Sequence, residues 1–141
     1  MALLGLCLVL AAAGTGAPPT FVAGERFTLA WTHSIEKVRW EEDYVVKPGA
    51  TVGDAPVLYA MAARVRGSAA GMEPPPDAVL RDGWYTYTPT QRSPSQLPLM
   101  RSTYTADFDL CTPDGCHPMS AWLKSDGGVT LLRPCLGTAP R

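Results

Sequence analysis

The stretch "DLCTPDGCHP", residues 109–118, constrains the fold more than any other. Pro-Asp-Gly is a tight-turn signature, because Pro presets φ at the first central position and Gly accepts positive φ. The turn predicts two strands running back antiparallel, with Cys111 and Cys116 facing one another across the hairpin. Paired residues in such a ladder lie about 4.5–5.5 Å apart at Cα, which is within disulfide reach. A disulfide closing so small a loop contributes roughly 2 kcal/mol by the chain-entropy argument, so its expected role is to pin register.

The rest of the chain carries the same strand signature. In "RFTLAW" (26–31), Phe27, Leu29 and Trp31 share one face. In "WEEDYVV" (40–46), Trp40, Glu42 and Tyr44 lie opposite Glu41, Asp43 and Val45. "VLYAMAARVRG" (57–67) alternates between Pro56 and Gly67, and "WYTYT" (84–88) is a short aromatic strand. "VTLLR" (129–133) follows the Asp126-Gly127-Gly128 turn. Segments 18–24, 47–56, 68–83 and 89–102 read as irregular, and the last residues as a frayed tail. Pro and Gly make up about a fifth of the 141 residues, below the level of low-complexity disorder. The expected fold is all-β: a small antiparallel sandwich or partly open barrel of six to seven short strands.

"MALLGLCLVLAAAG" opens the chain as an uncharged apolar run. It is shorter than the roughly 20 residues a membrane-spanning helix needs, and it matches the h-region of a signal peptide. Ala11-Ala12-Ala13 and Thr15-Gly16-Ala17 offer small residues for cleavage, although the usual basic n-region is missing. Residues 1–17 are therefore expected to be a signal peptide or short apolar anchor, 18–136 a single domain, and 137–141 a tail. Export implies an oxidising compartment, periplasmic or otherwise extracytoplasmic. With Cys7 removed alongside the signal, Cys135 would be left single. Bulky Leu6 beside Cys7 argues against a lipoprotein signal.

Charge excludes some functions. Twelve bases against thirteen acids give a net charge of −1, so no basic field exists to hold nucleic acid. His33 and Ser34 point to opposite faces of an extended strand, and no G-x-S-x-G elbow is present. C-x4-C-H is not a zinc spacing, and a disulfide cannot offer thiolates. Glu41 and Glu42 diverge along a strand, unlike the facing carboxyls of a glycosidase. No catalytic set, metal site or cofactor is expected.

What remains is an aromatic pattern. Trp31 and Trp40 flank "THSIEKVR", with Glu36, Lys37 and Arg39 at its tip. An aromatic floor with a charged rim is the composition of a recognition surface. Trp84 and Trp122 complete the chain's four tryptophans.

"WTHSIEKVRWEEDY", "GSAAGMEPPPDAVLRDGWYTY" and "LPLMRSTYTADFDLC…GCHPMSAW" occur in that order. Together they resemble a family of small exported bacterial domains classed as a domain of unknown function. Members are often encoded beside TAXI-type TRAP transporters, ion-driven importers of organic acids that depend on a substrate-binding protein. The resemblance implies an accessory extracytoplasmic component of such a system. It also implies where to look for a binding surface: His33, Ser34, Glu36 and Lys37, with Ser68, Gly71, Met72 and Glu73. The expectation is a non-catalytic domain that binds a transporter's binding protein or membrane subunit. The alternative is a module that closes these loops over a small carboxylate held by Lys37, Arg39 or Arg66.

Overall fold

The structure is a computed structural model of the chain. It describes residues 2–14, 16–32, 37–66 and 76–138. Among these residues eleven strands form two antiparallel sheets: β1 (Ala2–Leu10), β2 (Thr20–Ala23), β3 (Arg26–Thr32), β4 (Arg39–Lys47), β5 (Val57–Arg66), β6 (Val79–Arg81), β7 (Trp84–Tyr87), β8 (Leu97–Met100), β9 (Asp109–Thr112), β10 (Gly115–Pro118) and β11 (Val129–Thr138). The smaller sheet has the order β2-β1-β11-β8 and the larger β10-β9-β3-β4-β5-β7-β6. Among the described residues the only helical pieces are two 3-10 turns, Ala11–Ala13 and Met119–Ala121. The all-β expectation therefore holds, with more strands than predicted.

The core lies between the sheets. Leu6, Leu8, Val22, Leu99 and Leu132 of the smaller sheet meet Phe27, Leu29, Tyr44, Val46, Leu58, Ala60 and Leu110 of the larger. Each fully buried Leu contributes about 1.5–3 kcal/mol of transfer free energy. Alternation decides which side chains enter: in β3 the residues Phe27, Leu29 and Trp31 belong to the cluster, as their spacing requires.

The N-terminal segment is part of the smaller sheet. Ala2–Leu10 is an interior strand, paired along nine residues with β11 and along four with β2. Leu6 to Val9 are buried. Cys7, expected to be lost, bonds to Cys135, so Cys135 is not single. The predicted tail is also structured as far as Thr138, because β11 continues through Pro134 and Gly137 opposite Leu6 and Leu3. Two glycines make room here. A Cβ at Gly5 would lie 2.6 Å from the Phe21 ring, and one at Gly137 would lie 2.5 Å from it. The Phe21 ring of β2 thus lies across β1 and on to β11, where no larger residue fits.

The hairpin prediction holds. Cys116 pairs directly with Cys111 in the β9–β10 register, and the two form a disulfide with Cα atoms 3.9 Å apart. After β10, Met119–Ala121 turns out of the sheet. Segments predicted to be irregular hold β2, β6 and β8. Asp82 and Gly83, at φ of 51° and 85°, make the two-residue turn between β6 and β7.

Candidate functional site

The larger sheet separates two kinds of polar chemistry by alternation. On its outer face Glu41 accepts from Arg39 (2.8 Å) and Arg64 (2.7 Å), and Asp43 accepts from Arg64 (2.8 Å) and the Thr28 hydroxyl (2.7 Å). Arg39 also reaches Asp109 at 3.3 Å. Burial alone would raise both carboxyls, but the arginine hydrogen bonds outweigh it and hold Glu41 and Asp43 below their ordinary values. This ladder is complete. An open hollow of about 620 Å³ lies over it, edged by Arg26, Lys47 and Met61. Its third cation, Arg64, is the one already paired with Asp43.

The inner face differs. The register places Trp31 opposite Trp40, Trp40 opposite Val65, and Val65 opposite Tyr85. One row further in, Leu29, Glu42, Ala63 and Tyr87 are aligned. Trp31 and Trp40 stack, with centroids 6.2 Å apart and planes 9° apart, and Phe108 tilts onto Trp31 at 5.7 Å. Glu42 stands among these rings. Its Oε1 accepts a 2.8 Å hydrogen bond from the Tyr44 hydroxyl, and among the described residues no base pairs with it. Burial pushes the Glu42 carboxyl up from its ordinary value, against the Tyr44 hydrogen bond. Burial and then the Glu42 charge push the Tyr44 and Tyr87 phenols up in turn.

Leu29 and Trp31 of these rows belong to the inter-sheet core, whereas Ala63 and Val65 are buried outside it and no residue of β6 or β7 belongs to it. Trp40 Nε1 is buried and has no hydrogen-bond partner among the described residues. A buried donor in that condition normally has one.

The predicted site residues fall out as follows. Trp31 and Trp40 come together as a stacked pair. Lys37 is exposed and takes φ of 59°, a conformation uncommon for a residue with a side chain. His33, Ser34 and Glu36, and likewise Ser68, Gly71, Met72 and Glu73, lie outside the described residues. The strands they connect are informative all the same. β4 begins opposite the end of β5, with Trp40 against Val65. Of the cations proposed for an anion, Arg39 is paired with Glu41 and Asp109, and Arg66 lies over the Trp84 ring at 5.4 Å. Trp122 packs on the core and meets His117 edge-on. Glu42 and Tyr87 were missed as site residues. The signal for Glu42 was present, since it shares the Trp40–Tyr44 face.

The DUF1850 family, a domain of unknown function, matches residues 27–119, and the chain belongs to that family. Comparison with curated proteins and with solved structures finds no match. The matched range runs from Phe27 to Met119 and so contains the whole Trp-bordered end. Two disulfides fit an oxidising, extracytoplasmic environment. Among the described residues no helix is long and apolar enough to cross a membrane.

Proposed function

We propose that this domain is a non-catalytic, extracytoplasmic binding module that docks a protein partner at the Trp-bordered end of its larger sheet. The partner is a component of a TAXI-type TRAP transporter, either its substrate-binding protein or its membrane subunit. One observation supports the docking face above others: Trp31, at the rim of the core, stacks on Trp40 beside the partly buried Glu42, whose carboxyl burial pushes up. Rigid aromatic anchors with a few convergent polar groups are what protein interfaces concentrate at their centres. The transporter assignment rests on the family resemblance of the sequence.

The experiment uses the full chain, tagged at its C-terminus and captured from membranes. Recovery of a TRAP binding protein or membrane subunit supports the reading. Recovery of neither, with or without transported substrate, overturns it. Calorimetric titration with di- and tricarboxylates separates the alternative, because micromolar binding by the isolated domain would mark it as a carboxylate module.

A further inference from the structure

The chemistry of the docking face selects what enters it. A carboxylate in desolvated surroundings is costly unless a cation approaches. The nearby arginines do not serve Glu42: Arg39 and Arg64 extend from the opposite face of the sheet and are engaged by Glu41, Asp43 and Asp109. The sequence between Thr32 and Lys37 and that from 67 to 75 contain one basic residue, His33, and neither Arg nor Lys. Around the carboxylate stand π faces. Trp31 and Trp40 lie nearly parallel, and Tyr87 occupies the same row as Glu42. Rings attract a cation through their quadrupole. A flat guanidinium can stack on an indole while its fork meets a carboxylate in two parallel hydrogen bonds, which a compact ammonium cannot do. Trp40 and Glu42, two residues apart along the strand, each keep part of their surface accessible.

We propose that the Trp40–Glu42 end of the larger sheet receives an arginine side chain presented by a partner polypeptide, with its guanidinium against the indoles and paired with the Glu42 carboxylate. This deepens the binding-module reading and rests on it. It assigns the partner's chemistry: an exposed arginine.

The test is an NMR titration of the ¹⁵N-labelled full chain with N-acetyl-arginine N-methylamide and its lysine and citrulline counterparts. The Trp40 indole N–H resonance, assigned through Trp40→Phe, is the readout. The arginine compound should shift it, and the uncharged citrulline compound should not. Glu42→Gln, which keeps shape and removes charge, should weaken arginine binding at least about ten-fold. Its amide spectrum shows that the fold is kept. Equal binding of citrulline, unchanged binding by Glu42→Gln, or a stationary Trp40 resonance overturns the proposal, and equal binding of lysine overturns the guanidinium assignment. Capture from membranes separates the two levels. A transporter component held equally by wild type and Glu42→Gln removes the arginine site and leaves the binding module standing. Capture of nothing by wild type removes the module.

Discussion

Arg101 and Glu42 are charged side chains withdrawn from water in one small domain, and they are treated in opposite ways. Arg101 is 2% exposed and fully engaged. Its Nε and Nη2 each donate to Asp107 at 3.0 Å, its Nη1 to the Thr130 hydroxyl at 3.0 Å, and its Nη2 also to the Leu123 carbonyl at 2.8 Å. Asp107 in turn accepts from the backbone N–H groups of Phe108 and Ser120. The circuit ties the loop after β8 to β11 and to the turn after β10, and it has no vacancy. Glu42 has one hydrogen bond, from Tyr44, and a neighbour, Trp40, whose donor is unmet among the described residues. A closed network at the join of three segments holds the fold. An incomplete one at the Trp-bordered end of a sheet is what the proposed partner would complete.

The disulfides sharpen this contrast first. Replacing Cys7 and Cys135 by Ser opens a loop of 128 residues. The expected loss is about 4–5 kcal/mol by chain entropy, read as a fall in the denaturant midpoint. The hairpin pair spans five residues and should lose about 2 kcal/mol on the same double replacement. Between these lies Arg101→Met, which strands Asp107 and should cost about 3 kcal/mol, at the low end for a broken buried pair because Asp107 is partly exposed. If Arg101→Met proved neutral, the closed circuit would not be the structural tie described above.

Acid titration should separate the two carboxyls by sign. Burial would raise Asp107, but the Arg101 hydrogen bonds outweigh it and hold its folded pKa below the unfolded one. Its contribution is present above the unfolded value and is lost as pH falls through the folded value. Glu42 is raised, so its contribution is present below the unfolded value and is lost as pH rises through the folded value. Denaturant midpoints measured through the acid range should therefore shift oppositely in Asp107→Asn and Glu42→Gln, each relative to wild type. The smallest effect belongs to Glu42→Gln at neutral pH. It should change stability by less than about 1 kcal/mol, and not downward, while weakening partner capture.

The sequence made one of these regions more readable than the other. Alternation in 26–31 and 40–46 identified β3 and β4 and put Glu42 on the tryptophan face, because a strand with one wet side reveals its period. β1 gave no such signal. It is buried on both sides, by the core on one and by Phe21 and the Cys7–Cys135 bond on the other. Its apolar residues therefore run on without alternation, and that pattern is shared with a secretion signal. Once Cys7 was set aside, Cys135 lost its partner and β11 its neighbour, so the end of the chain read as a tail. Arg101 sat in a Pro/Ser-rich stretch, where nothing local foretells that Asp107, Thr130 and Leu123 converge on it. The hairpin at Cys111 and Cys116 was legible because its turn chemistry is local.

The central claim is that the Trp-bordered end of the larger sheet is the face a partner occupies. Amide hydrogen exchange of the full chain, measured with and without a TRAP binding protein or membrane subunit, tests this most directly. The account predicts added protection at the start of β4, the end of β5 and β7, around Trp40, Val65 and Tyr85. Protection confined to β2, β8 or β10, with the Trp40 region unchanged, would contradict it.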